Sequence, residues 1–221
     1  MEIIKNLEVL QFYETYSGDQ EMQEYANTMF VAKYIELKED PNGFNYLERT
    51  NYKPGDDPFF IPGKIYTFKN VIEDKKKYDG QPLVLCTKIG AEKKGFYMQG
   101  LNFNTLPQEM TARVLDAYAK LFEKEMEQTE DAAGRNESYI SKEIVTAFMN
   151  NKFLVTVFEK FNSNPFSKFY LGNMMNPTLV ETDDWKYIPF IRPMSLVGMS
   201  VEDLIKKYEE LSKKMAAKHK K

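Results

Sequence analysis

Three short apolar runs in the middle of the chain, each closed by turn chemistry, constrain the fold more than any other feature of the 221 residues. Gly63-Lys64-Ile65-Tyr66-Thr67-Phe68 is rich in β-branched and aromatic side chains, which fit a pleated surface. A charged stretch over 73–77 leads to Tyr78-Asp79-Gly80-Gln81-Pro82, a turn composition, and then to the buried-strand pattern Leu83-Val84-Leu85-Cys86-Thr87. A second turn at Lys94 and Gly95 precedes Phe96-Tyr97-Met98-Gln99-Gly100-Leu101. The spacing predicts strands over 64–71, 83–88 and 96–102, paired as an antiparallel meander and curled into a small SH3-like β-barrel. Gly95 and Gly100 are expected at bends. Tyr78, Asp79 and Pro82 form the candidate structural turn. Asp79 can accept backbone amides there, and Pro82 keeps the residue before it extended.

Helical periodicity flanks these strands, so the expected class is α+β. Met110, Val114, Leu115, Tyr118, Leu121 and Phe122 make one stripe after Pro107, predicting a helix over 107–128. Ser141 with 143–149 reads as another helix. The segment 152–161 fits strand and helix equally, and 162–177, with Asn173, Asn176 and Pro177, reads as loop. Residues 1–40 form a helical arm with a break at Gly18, and 41–62 is a Pro/Gly-rich linker. Residues 63–199 are the body, and 200–221 a C-terminal amphipathic helix capped by Ser200. Short helices are marginal alone in water, so the apolar faces of the two ends must dock somewhere. Met22, Met29 and Phe30 in the arm, with Leu204, Ile205 and Tyr208 in the last helix, are the candidate protein interface.

Charge is distributed unevenly along the chain. The net charge is −3, yet residues 1–60 carry five basic against twelve acidic side chains. The last nine residues carry Lys213, Lys214, Lys218, Lys220 and Lys221 and no acid, which makes them the candidate nucleic-acid contact. No apolar run approaches the ~20 residues of a membrane span, and the first residues lack a signal-peptide pattern. A single cysteine, Cys86, suits a reducing compartment, so cytoplasmic synthesis is expected.

The residue inventory is poor in chemistry. The only histidine is His219, two residues from the end, so neither a Ser–His nor a Cys–His pair is expected. Cys86 lies inside an apolar run, where a thiol usually packs and is unreactive. Asp183 and Asp184 could serve a Mg²⁺-dependent nuclease, but Thr182-Asp183-Asp184 is also a helix-start or turn composition, and that reading is favoured. Gly90 to Gly95 lacks phosphate-loop spacing. No catalytic residue, cofactor or metal is expected. Tyr66, Phe68, Phe96, Tyr97 and Phe103 could offer stacking surface for single-stranded nucleic acid, although most should fill the core, leaving at most one face free.

Several motifs together resemble a known family. They are Pro62-Gly63-Lys64-Ile65-Tyr66-Thr67-Phe68, then Tyr78-Asp79 with Pro82-Leu83-Val84-Leu85, then Gly95-Phe96, then Gly100-Leu101-Asn102-Phe103-Asn104 with Leu106-Pro107. Trp185, Phe190 and Pro193 match in outline. The pattern resembles the DNA end protector or head-completion proteins of large contractile-tailed phages, over about fifty residues. The turn departs from it in carrying Lys76-Lys77 before Tyr78, and the acidic arm has no counterpart. The resemblance implies a non-enzymatic virion structural protein, made in host cytoplasm and incorporated into the virion. It implies docking to other virion proteins, a homo-oligomer or ring, and contact with DNA. A neck, tail or baseplate subunit without DNA contact is the alternative.

Overall fold

The computed structural model describes residues 8–36, 60–70, 81–130, 137–152, 165–191 and 200–218. The sheet is built from β1 (Ile65–Asn70), β2 (Leu83–Glu92), β3 (Gly95–Asn102), β4 (Phe166–Tyr170) and β5 (Met174–Leu179), in the order β4-β3-β2-β1-β5. Every pairing is antiparallel. The three central strands therefore form the meander expected from their turns. Gly95 closes the β2–β3 hairpin with φ of 115°, a conformation that favours glycine. Gly100 is needed for a different reason from the expected bend. A Cβ there would lie 2.1 Å from the carbonyl oxygen of Leu85, beside the register shift between Cys86 and Lys88.

The sheet curls but does not close into the expected barrel. Its edge strands β4 and β5 are joined by one 3₁₀ turn, Leu171–Asn173. Four flat strand spacings would separate those edges by about 19 Å. A three-residue 3₁₀ link rises only ~6 Å, so the sheet must bend strongly. Yet β4 bonds to β3 and β5 to β1, with no ladder between β4 and β5. Closure needs a staggered edge-to-edge ladder. β4 has five residues and β5 contains Pro177, which has no N–H to donate, so the edges offer too little to seal the seam. These strands also correct the reading of 162–177 as loop. The segment has weak strand propensity, and its order comes from β3 and β1.

The curl buries both faces of the central strands. Inside it Phe60, Tyr66, Phe68, Val84, Cys86, Met98, Phe169 and Met174 make one core. Outside it Ile65, Leu83, Leu85 and Leu101 pack beneath helices. Two-sided burial explains why Leu83-Val84-Leu85-Cys86 is apolar without alternation. The outer layer is α3 (Gln108–Glu130), which buries Val114, Leu115, Tyr118 and Ala119, with α4 (Glu137–Met149) adding Ile144 and Phe148. Trp185 sits on this layer, its ring centroid 5.5 Å from Tyr118 and 5.4 Å from Phe122. It belongs to the 3₁₀ helix Thr182–Phe190, which has Asp183 and Asp184 in its first turn, as the helix-start reading of that composition expects.

The arm is core. α1 (Val9–Tyr16) and α2 (Gln20–Phe30) are separated at Gly18, and Asp19 caps α2 by accepting from the amides of Glu21 and Met22. Val9, Met29, Phe30 and Tyr34 join the same cluster as the outer face of the sheet. Met22 and Ala26 pack with Phe190 and with Met215 of α5 (Val201–Lys218). Asp116 of α3 accepts from the Leu10 amide (3.3 Å) and from Lys120 (2.7 Å), tying α1 down. A π-helical turn, Val31–Glu36, follows α2. The linker residues 41–59, the segment 153–161 and the basic end beyond 218 lie outside the described residues.

Candidate functional site

The interface expected at the two ends is largely consumed within the chain. Met22, Met29 and Phe30 are buried, which corrects their assignment as a docking face. The 3.6-residue stripe was real, but α3, α5 and the 182–190 helix cover it. Tyr208 is half-buried and stacks on Tyr25, with ring centroids 6.2 Å apart. Ile205 is 38% exposed, and the side chain of Leu204 lies outside the described residues. Lys213 and Lys214 are exposed on α5. Lys218 ends that helix, and Lys220 and Lys221 lie outside the described residues. Of the turn residues, Pro82 is buried immediately before β2, while Tyr78 and Asp79 lie outside the described residues.

The acidic pair is divided between two environments. Asp183 is exposed. Asp184 is 7% exposed, and its carboxylate accepts from Lys33 Nζ at 2.6 Å and from the Tyr34 hydroxyl. The Tyr34 oxygen in turn accepts from the Glu181 amide at 3.3 Å. Burial, then the hydrogen bond to Asp184, raises the Tyr34 hydroxyl well above the ordinary tyrosine range. This cluster bolts the π-turn to the 182–190 helix across about 150 positions of sequence, and no local pattern could have announced it. Among the described residues no group of three or more His, Cys, Asp or Glu side chains is placed to hold a metal ion. Cys86 is buried, and burial pushes its thiol up to about 12. Among the described residues no helix is long and apolar enough to cross a membrane.

The exit of β3 into α3 meets the end of the 182–190 helix at a cleft. Asn104, Leu106 and Pro107, from the exit of β3 into α3, face Ile188, Pro189 and Ile191, from the end of the 182–190 helix, and Tyr13 of α1 closes one side. The cleft holds about 530 Å³, and Gln108, Glu109 and Thr111 give it a polar edge. Local hydrogen bonds shape its wall. Asn102 Oδ1 accepts from the Asn104 amide (3.1 Å), Asn104 Nδ2 donates to the Gln81 carbonyl (2.9 Å), and the Thr105 hydroxyl donates to the Asn102 carbonyl (2.7 Å). The asparagines of the Gly-Leu-Asn-Phe-Asn run are therefore turn-building groups. The lining is mixed, with Leu106 and Ile188 beside Asn104, Gln108 and Glu109, a composition open to a side chain or peptide from another protein.

The five aromatics considered as a stacking surface also part company. Tyr66, Phe68 and Phe103 are core, and Phe96 is half-buried. Tyr97, only 9% exposed, lies on the outer face of the sheet next to the half-buried Tyr170 of β4, at a ring-centroid distance of 6.4 Å. Tyr170 went unnoticed because its segment lacked strand alternation. Comparison with protein-family models, curated proteins and solved structures finds no match for the chain.

Proposed function

We propose that this chain is a non-enzymatic assembly protein of a tailed-phage virion, acting by docking other virion proteins into the cleft between Asn104–Pro107 and Ile188–Ile191. The observation that carries this reading is the convergence of the resembling motifs. The β1, β2 and β3 runs are neighbouring strands, and the Asn-x-Leu-Pro exit lines one groove with Ile188, Pro189 and Ile191, from the helix that also carries Trp185. The strand order β4-β3-β2-β1-β5, with a 3₁₀ turn between the edges, supports an SH3-like topology left open at its last seam. Binding over chemistry is favoured because Asp184 is engaged by Lys33 and Tyr34, and because Cys86 is sealed in the inner core. Docking as a ring or homo-oligomer belongs to the same reading, with head completion or genome-end protection as its role; a neck, tail or baseplate subunit without DNA contact is the alternative.

The test is incorporation. Phage particles produced with the native chain should contain it by quantitative mass spectrometry. Particles made with Pro107→Glu, which puts a carboxylate on the cleft rim at an exposed position, should contain several-fold less. The melting temperature should be unchanged. Equal incorporation of the variant would reject the cleft, and absence of the native chain from particles would reject the assembly role.

A further inference from the structure

The outer face of the sheet, past Leu101 and toward the β2–β3 hairpin, carries an ordered array of exposed cations and two rings. Directly paired residues share a face, as do alternate residues along a strand. By register, Lys88, Gln99 and Lys168 form one row across β2, β3 and β4, and Gly90, Tyr97 and Tyr170 form the next. The opposite side of the same strands carries Ile89, Met98 and Phe169, which belong to the inner core. Lys88 and Lys168 are exposed, as are Lys93 and Lys94 at the hairpin tip.

The rings are held in place rather than scattered. Tyr97 lies over Gly90, where a Cβ would come within 2.5 Å of the end of the ring and push it aside. Lys168 Nζ sits 4.3 Å from the Tyr97 centroid, and Lys94 Nζ sits 5.9 Å from that of Tyr170. Glu92 accepts from the Tyr170 hydroxyl and from Lys168 at 3.1 Å. Among the described residues this end of the sheet gathers four lysines and one engaged carboxylate, Glu92, beside two tyrosine rings.

We propose that this face binds single-stranded nucleic acid. Phosphates sit on Lys88, Lys94 and Lys168; a base stacks on the half-buried Tyr170, and a second on Tyr97, 9% exposed with Lys168 over its ring, once the lysines swing to the backbone. A lysine over a ring holds the place that a base takes, because both use the same π-face, and stacking is the stronger contact. The charge excludes an acid-poor or basic partner, and adjacent rings favour a polymer of bases over a plain polyanion. The proposal does not depend on the cleft or on virion membership. It moves the expected nucleic-acid contact from the lysine-rich end to the sheet.

The experiment is fluorescence anisotropy of a labelled 20-nucleotide oligothymidine titrated with the full chain. Binding should weaken with salt, with a log–log slope near about −2 for three phosphate contacts. Lys88→Glu with Lys168→Glu should weaken it at least ~10-fold, and Tyr170→Leu by about 10-fold, the size of one lost base stack. Circular dichroism checks folding, and Lys88→Gln with Lys94→Gln serves if the charge reversals unfold the protein. A variant with the five terminal lysines changed to glutamine should keep most of the affinity. The proposal is overturned by no binding of the native chain, by unchanged affinity in the sheet variants, or by loss only in the terminal variant. Tighter binding of the matching duplex would also overturn it. So would competition by poly-glutamate with no effect of Tyr170→Leu, which would assign the face to an acidic protein segment.

Discussion

Asp184 shows how far one side chain's role can lie from its sequence neighbourhood. Its carboxylate is buried and answered by Lys33 and Tyr34, so Asp184→Asn should cost about 2 kcal/mol in urea unfolding, the range for hydrogen bonds to a charged group. Asp183→Asn, at an exposed position, should stay within about 0.5 kcal/mol. Equal losses would mean that the Lys33–Asp184 pair contributes nothing. Gly100 offers a steric test of the same kind. Alanine there meets the Leu85 backbone, which cannot rotate away, so a loss of at least about 2 kcal/mol is expected by thermal melting. Gly18→Ala meets nothing within 4 Å and should be near neutral. Cys86 should resist a thiol reagent at pH 8 in the folded protein and react once urea unfolds it, since burial holds its proton up to about 12. Because folded Cys86 ionises later than an unfolded thiol (~8.5), its contribution to stability is complete below that pH and declines as pH rises toward 12.

At the scale of elements, the arm and the last helix separate what a stripe announces from where it goes. Both ends carry the helical periodicity read from their sequences, but the stripe does not name its partner. Val9, Met22, Met29, Phe30 and Tyr34 are all buried, and each such side chain is worth about 1.5–3 kcal/mol. Together they rival the ~5–15 kcal/mol stability of a domain. Deleting residues 1–36 should therefore abolish cooperative unfolding, read by the fluorescence of Trp185, instead of leaving the folded body expected for a free arm. Removing 200–221 takes away only Leu211 and Met215 from the described core, so that truncation should still unfold cooperatively, at a lower urea midpoint.

For the molecule as a whole, burial on two sides sets a gradient of stability. β1 and β2 are covered inside by the curl and outside by α3 and the arm, whereas α5 rests on one face alone. Native-state hydrogen exchange should find the slowest amides in Ile65–Phe68 and Leu83–Cys86, and much faster ones along α5. Slow exchange in α5 equal to that of β2 would show that the whole chain opens as one unit.

The sequence by itself determined the antiparallel meander, the break at Gly18 and the helix after Pro107. Each of these is local: alternation, 3.6-residue spacing, a cap or a positive-φ glycine acts within a few residues. Only the tertiary structure decided that 166–170 and 174–179 are strands, because their pairing free energy comes from β3 and β1, about seventy and a hundred residues away. It decided that the sheet stops short of a barrel, since Pro177 and a five-residue edge cannot carry a closing ladder. It also decided which aromatics are core and which face water. Alternation says that two faces exist, and only the tertiary structure says that Tyr66, Phe68 and Tyr97 are buried while Tyr170 stays half-buried at the sheet edge.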